Sequence, residues 1–307
     1  MPEPIAYLNG KMLPAREAAI PVDDAGFALG TTITEQLRTF GGRLFRADRH
    51  FERLANSLAI CGIEAGLKRE DFGRIAQELV ERNYPLVELG DDLGLCVFVT
   101  PGAYAAISSG RRSGPTVGLH TFPLAFELWA ARYAEGVSLV VTAVEQVSQH
   151  CWPAELKCRS RMHYYLADRQ AEAIERGARA LLLDAQGNVT ESSTANLVIY
   201  VSGQGLVGPP RSDVLPGVSL EVAIELARGL SIPYSERRLL PADVATAGEV
   251  FLTSTPNCLL PVVRFAGRAI GDGHPGPVFR KISEAWNGLV GLDIAAQAVR
   301  FSRRYGK

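Results

Sequence analysis

The sequence predicts a two-domain protein of the α+β (mixed α/β) class, with antiparallel strand pairs in both domains. Three observations carry that prediction. At 307 residues and 47% hydrophobic content the chain has more apolar residues than one small core needs. Short strand-type runs closed by Gly and Pro turns alternate with helix-period stretches along its whole length. A Gly/Ser/Arg-rich stretch at 108–115, followed by aromatic residues up to about 133, then interrupts the alternation. These place a smaller N-terminal α/β domain over residues 1–120, a linker at 121–136 and a larger domain over 137–307.

Taken in order, Ile5–Gly10 and Lys11–Pro14 read as a hairpin, since Asn9-Gly10 is a strong two-residue turn signal. Thr32–Phe40, Gly41-Gly42 and Arg43–Arg46 form a second strand–turn–strand unit. Asp48 is the expected cap of a helix in which Phe51, Leu54, Leu58 and Cys61 recur at helical spacing. A second helix covers about Arg69–Asn83, and Leu93–Thr100 is a buried strand ended by Pro101-Gly102. Another strand lies near Val117–Thr121. In the second domain a strand from Ser138 precedes a helix from Met162, a short strand at Ala180–Asp184 and a turn at Gln186–Asn188. Val189–Tyr200 continues as strand. Pro216-Gly217 leads into a helix capped by Ser219, with Val222, Ala223, Leu226 and Leu230 on one face. Glu249–Thr255 is a strand ending in hydroxyl residues, and a last helix starts near Pro277.

Composition excludes several roles. A net charge of −1 with mixed signs offers no basic face for nucleic acid. The doublets Arg111-Arg112, Arg237-Arg238 and Arg303-Arg304 read as solvated surface. No apolar run reaches the ~18 residues of a membrane span, and the N-terminus has no signal pattern. Five cysteines without metal-type spacing read as reduced thiols, which points to the cytoplasm, and no histidine–cysteine cluster has ligand spacing.

The residues with chemical potential are few. Lysine is scarce, at five residues, and Lys157 follows Trp152, Pro153 and Leu156 and precedes the helix from Met162. Most lysines are solvated surface, but a lysine amine can also form a Schiff base with an aldehyde cofactor. Glu191 lies in a turn–strand context, where a buried acid needs a partner. Leu215-Pro-Gly217-Val218-Ser219 opens a helix whose first amides suit an anion, although such junctions are also common without one. Asn196 reads as a structural side chain bonding nearby backbone, and His50 as a capping or packing residue.

Set in order, Gly26-Phe-Ala-Leu-Gly30, Glu35-Gln-Leu-Arg38, His50-x-x-Arg53-Leu54, Lys157, Glu191-(x)4-Asn196-Leu197, Leu215-Pro-Gly217 and Glu249–Thr255 resemble the class IV aminotransferases. That group includes branched-chain aminotransferases, D-amino-acid aminotransferases and aminodeoxychorismate lyase. The resemblance spans about residues 5–290. It implies the fold-type IV architecture, a small N-terminal domain and a larger C-terminal pseudo-barrel, with pyridoxal 5′-phosphate as cofactor. It assigns the Schiff-base and proton-shuttle lysine to Lys157 and the pyridine-nitrogen acid to Glu191. The phosphate ligands are Arg53, the amides of Val218 and Ser219, and Thr255. The tyrosine on the cofactor phenolate is Tyr164, or its neighbour Tyr165. It also implies a homodimer acting on small amino and keto acids.

The departures fall in the substrate pocket. Thr100-Pro101-Gly102 stands where D-amino-acid aminotransferases carry an arginine in a Thr-Arg-Gly turn. Thr34 replaces an aromatic residue and Gln36 a glycine, leaving Thr34 and Arg38 as candidate substrate contacts, with Arg38 able to reach a carboxylate. The expected activity is transamination, branched-chain-like or D-amino-acid-like. A pyruvate-releasing lyase is the alternative, and a non-catalytic relative that binds pyridoxal 5′-phosphate is the remote third.

Overall fold

Two β-sheets of different design organise the chain. A computed structural model describes residues 3–110 and 113–303. Arg111-Arg112 and Arg304 of the basic doublets lie outside the described residues. Contacts divide the chain into one unit of residues 1–124 plus Leu156–Ser160, and a second of Ala125–Glu155 plus 161–307.

The first unit contains β1 (Ile5–Leu8), β2 (Lys11–Pro14), α1 (Ala25–Ala28), β3 (Ile33–Phe40), β4 (Arg43–Leu44), α2 (Ala47–Cys61), α3 (Arg69–Asn83), β5 (Leu93–Thr100) and β6 (Thr116–Pro123). Its sheet runs β2-β1-β6-β5-β3-β4, and every pairing is antiparallel. Alternation along the strands gives the sheet two unlike faces. Ile33, Leu37, Leu95, Val97, Val99, Val117 and Leu119 form a core with Phe51, Leu54 and Leu58 of α2 and Phe72, Ile75 and Leu79 of α3. The opposite face carries Thr34, Gln36, Cys96, Phe98, His120 and Phe122, and the registers align Gln36–Cys96–His120 in one row and Thr34–Phe98–Gly118 in the next.

Helix α2 starts one residue before the expected cap. Arg46 occupies the cap position in the left-handed region (φ 50°), and Asp48 sits inside the first turn, where a carboxylate favours the helix dipole.

The second unit contains α4 (Arg132–Glu135), β7 (Val137–Val141), α5 (Met162–Ile174), β8 (Arg179–Leu183), β9 (Val189–Ser192), β10 (Ala195–Val201), β11 (Gly205–Gly208), α6 (Val218–Gly229), β12 (Tyr234–Glu236), α7 (Pro241–Thr246), β13 (Glu249–Ser254), β14 (Cys258–Phe265), β15 (Arg268–Ala269), α8 (Pro277–Val290) and α9 (Ile294–Phe301). The order β12-β11-β10-β13-β14-β7-β8-β9 returns on itself because β9 also pairs β10. Six strands thus close a barrel, and closure removes unpaired edges from its wall. Parallel pairs occur where β7 meets β14 and β8.

Two boundaries differ from the sequence expectation. The stretch 121–136 is no linker: β6 runs to Pro123, and from Ala125 the chain packs into the second unit, with the buried Phe126 ring against Trp129 and Phe301. Leu156–Ser160, expected inside the larger domain, groups with the first unit because it pairs alongside β3.

Candidate active site

Lys157 owes its place to that pairing. The Thr34 amide donates to the Lys157 carbonyl (3.1 Å), the Arg159 amide donates to the Thr32 carbonyl (2.8 Å), and Cys158 bridges Ile33. The Lys157 amide in turn donates to Ser57 Oγ of α2 (3.2 Å), and Ser160 Oγ to the Gly30 carbonyl (2.7 Å). An extended segment alternates its side chains. Leu156 and Cys158 pack on the sheet's core, Arg159 lies on the other side, and Lys157 is directly opposite Thr34 in the pairing, its charge close enough to His50 to add to burial in lowering that ring's pKa.

On that open face Arg159 folds back over Thr34. Its Nε donates to Thr34 Oγ1 (3.4 Å) and its Nη2 to Cys96 Sγ (2.7 Å), while Thr34 Oγ1 donates to the Val97 carbonyl (2.8 Å). Burial pushes the Cys96 thiol up, but the hydrogen bond to His120 and the Arg159 charge outweigh it and leave the thiol below its ordinary value. The same bond to Cys96 holds His120 above its ordinary value, against burial.

Arg53 and Arg38 are both pinned. Arg53 Nε and Nη2 grip Glu35 Oε1 (2.7 Å) and Oε2 (2.9 Å), and His50 Nδ1 is 2.9 Å from Oε2, all buried on the core side. Burial pushes the Glu35 carboxyl up, but Arg53 and His50 together hold it far below the usual carboxylate range. Burial likewise keeps His50 below its ordinary value despite Glu35. Arg38 cannot serve a substrate as expected. It is 1% exposed, stacked over Phe40 (4.0 Å), bonded to the Thr39 carbonyl and set near Asp92 (4.0 Å).

In the second unit β9, β10 and β13 align Glu191, Asn196 and Thr253 in one row. Glu191 is buried with both oxygens engaged. Oε1 accepts from Asn196 Nδ2 (3.0 Å) and the Leu215 amide (2.5 Å), and Oε2 accepts from the Tyr164 hydroxyl (3.0 Å). Burial first and Glu191 second raise the Tyr164 phenol, so it stays protonated and donates. Tyr164, rather than the exposed Tyr165, is the tyrosine that reaches this row. The Thr253 hydroxyl is buried with no hydrogen-bond partner among the described residues.

Asn196 also ties the row to α6. Its Nδ2 donates to the Leu215 carbonyl (2.9 Å), and a Cβ on Gly217 would overlap its Oδ1. Position 217 therefore has no room for a side chain; the helix begins at Val218, after extended Gly217, and Ser219 lies in the first turn instead of capping it. The Val218 and Ser219 amides have no intrahelical acceptor, and amides so placed suit an anion. Thr255 follows β13 in the turn to β14. Gly217→Ala should displace Asn196 and with it Glu191. Cofactor affinity is expected to fall ~10-fold or more, an effect on the scale of losing one or two charge-assisted hydrogen bonds. Titration of the apoprotein with pyridoxal 5′-phosphate measures it, and unchanged affinity would show that the cradle is not needed.

Within the second unit the donor set suits pyridoxal 5′-phosphate: a buried fixed carboxylate, a protonated phenol, paired helix-start amides and an unpartnered hydroxyl. The comparisons with known proteins agree. The model of the family "amino-transferase class IV" matches residues 32–265, well over half the chain. The chain belongs to the class IV aminotransferase family and is a transaminase. It is 28% identical over 280 residues to the D-alanine aminotransferase of Bacillus licheniformis, covering 90% of this chain and 94% of that one. A probable branched-chain-amino-acid aminotransferase of Aquifex aeolicus is 27% identical over 291 residues, covering 91% and 90%. The Escherichia coli branched-chain amino acid aminotransferase has the same fold, with a TM-score of 0.86 at 23% identity over 94% of this chain and 95% of that one.

Neither the pinning of Arg53 nor the Arg159–Cys96–His120 cluster was visible to motif reading. The only available signal was that Arg159 lies two residues past Lys157.

Proposed function

We propose that this enzyme moves the amino group of a small α-amino acid, of the D-alanine or branched-chain type, to a 2-oxo acid with pyridoxal 5′-phosphate. The observation that carries the proposal is Glu191, a buried carboxylate held by Asn196, the Leu215 amide and Tyr164 in a class IV chain. Bound pyridoxal 5′-phosphate supplies an aldehyde that condenses with amines and a protonated pyridine ring that draws electrons from the substrate Cα.

This chain's residues divide the work. With the cofactor bound, the Lys157 amine would hold it and, once freed, would take up the proton released at the substrate Cα. Its backbone cannot drift, because Ser57 and the Thr34 amide hold it on both sides. Glu191 would hold the pyridine nitrogen protonated through its negative charge. Tyr164 would supply its hydroxyl as a hydrogen-bond donor to the phenolate oxygen. The Val218 and Ser219 amides, Thr255 and Arg53 hold the phosphate. These assignments follow the family pattern residue by residue.

A homodimer in the cytoplasm completes the reading. Ile20, Val22, Phe27 and Leu29 are large apolar residues exposed within ten positions, as an interface requires. Light scattering on the purified protein checks the oligomer. Among the described residues no helix is long and apolar enough to cross a membrane.

Absorption spectroscopy tests the function. The protein with pyridoxal 5′-phosphate should show a visible band that D- or L-amino acids of one class bleach without acceptor, leaving the matching 2-oxo acid in solution. Absence of a band would overturn the proposal. A band indifferent to every amino acid, with pyruvate released from aminodeoxychorismate, would make the enzyme a lyase.

A further inference from the structure

Neither arginine position considered in the sequence serves the substrate's α-carboxylate here: Arg38 is sealed in the fold, and Thr100-Pro101-Gly102 carries no arginine. A carboxylate receptor faces one strict condition. The carboxylate carbon is bonded to the Cα whose proton Lys157 moves, so the receptor must present its charge within a side chain's reach of that amine.

Arg159 meets the condition. Residues two apart in an extended segment are about 6.6 Å apart, within reach of an arginine side chain. The Arg159 side chain does not lead away from Lys157. It turns back across Thr34, the residue directly opposite Lys157 in the pairing, and is fixed there by Thr34 Oγ1 and Cys96 Sγ. The ordinary reading of an arginine this exposed is a solvated charge, yet an unrestrained surface guanidinium is not tied down by a hydroxyl and a buried thiol. Those two bonds use two of its five N–H donors. Among the described residues no carboxylate pairs with it, unlike Arg53 with Glu35 or Arg38 with Asp92. The surrounding face offers Gln36, Phe98 and His120 and no acid. A cation that is fixed, unpaired and set beside the reactive amine is a built anion receptor.

We propose that Arg159 binds the α-carboxylate of the amino-acid substrate and of the 2-oxo acid product, with Thr34 and Cys96 as its positioning residues. The proposal rests on the transaminase reading given above and assigns that site's substrate contact.

The test uses Arg159→Gln and Arg159→Lys on the protein loaded with pyridoxamine 5′-phosphate. Calorimetry with a simple monocarboxylate, hexanoate, should show binding to the unsubstituted protein. Arg159→Gln should weaken it about 10- to 100-fold, the scale of a charge-assisted pair, and Arg159→Lys should recover part of it. In turnover, KM should rise by a similar factor for alanine, leucine and glutamate alike, with kcat less affected. The single-turnover amine half-reaction with a primary amine lacking a carboxylate, followed without any 2-oxo acid, should keep its rate. Equal hexanoate affinity in the Gln variant would overturn the proposal. So would a loss confined to glutamate, which would assign Arg159 to a side-chain carboxylate instead. Failure of the functional reading itself would appear separately, as an unsubstituted protein without a visible band.

Discussion

Lys157→Ala is expected to lose the visible absorption band of the cofactor-loaded enzyme and to lower turnover by about 10⁴-fold or more. The upper end of general acid–base catalysis alone accounts for ~10⁴, and the alanine variant forfeits the covalent tether as well. The fold should survive, because the bonds that seat this segment are made by backbone atoms. The Lys157 amide to Ser57 and the Lys157 carbonyl to the Thr34 amide persist with any side chain. Spectra and single-turnover rates on protein of unchanged circular dichroism provide the check. A variant that keeps both band and rate would remove Lys157 from the mechanism. A variant that keeps phosphate-dependent cofactor affinity but not the band would separate the tether from the phosphate cup, which depends on other residues.

How much of this site could be read in the sequence depends on the range of the interaction. Helices α3 and α8 and strands β5 and β13 follow from local periodicity and turn chemistry, and they appear within a residue or so of expectation. Helix starts were less legible, because caps respond to distant atoms. Position 217 admits only glycine because the Asn196 side chain, from strand β10, fills the space a Cβ would need. The placement of Leu156–Ser160 with the first sheet was hidden for the same reason. Its partners, Thr32 to Thr34, lie about 125 residues earlier. Arg38 shows the limit of motif transfer. Its position matches the family run, yet strand pairing buries it among Phe40, Thr39 and Asp92. Arg159 shows the reverse, since no motif marks it and only the extended pairing reveals that it lies over Thr34, the residue opposite Lys157.

The largest effect on stability is expected at Glu35. Glu35→Ala should destabilise the protein by about 3–5 kcal/mol, the cost of leaving a buried charge without its partner. Arg53 is buried with its Nε and Nη2 on this one carboxylate, and His50 loses the same acceptor. Glu35→Gln keeps the shape and some hydrogen bonds, so it should cost less. The pH dependence separates the two groups. Glu35 in the folded state lies below its ordinary value of 4.5. The unfolded chain therefore takes up the proton first, and the Glu35 contribution is intact above about pH 4.5 and lost as pH falls below it. His50 is also lowered, from 6.5. Below pH 6.5 the unfolded state binds a proton that the folded state refuses, and stability declines there as well. Urea titrations from pH 7 to pH 3 should thus show stability falling in two stages, beginning near pH 6.5 and steepening below pH 4.5. In Glu35→Ala the second stage should flatten, and in His50→Gln the first. An unchanged lower stage in the alanine variant would place the acid-sensitive carboxylate elsewhere. Because Glu35 also fixes the guanidinium that the family pattern turns toward phosphate, Glu35→Gln should weaken pyridoxal 5′-phosphate binding while leaving the fold at pH 7 largely intact.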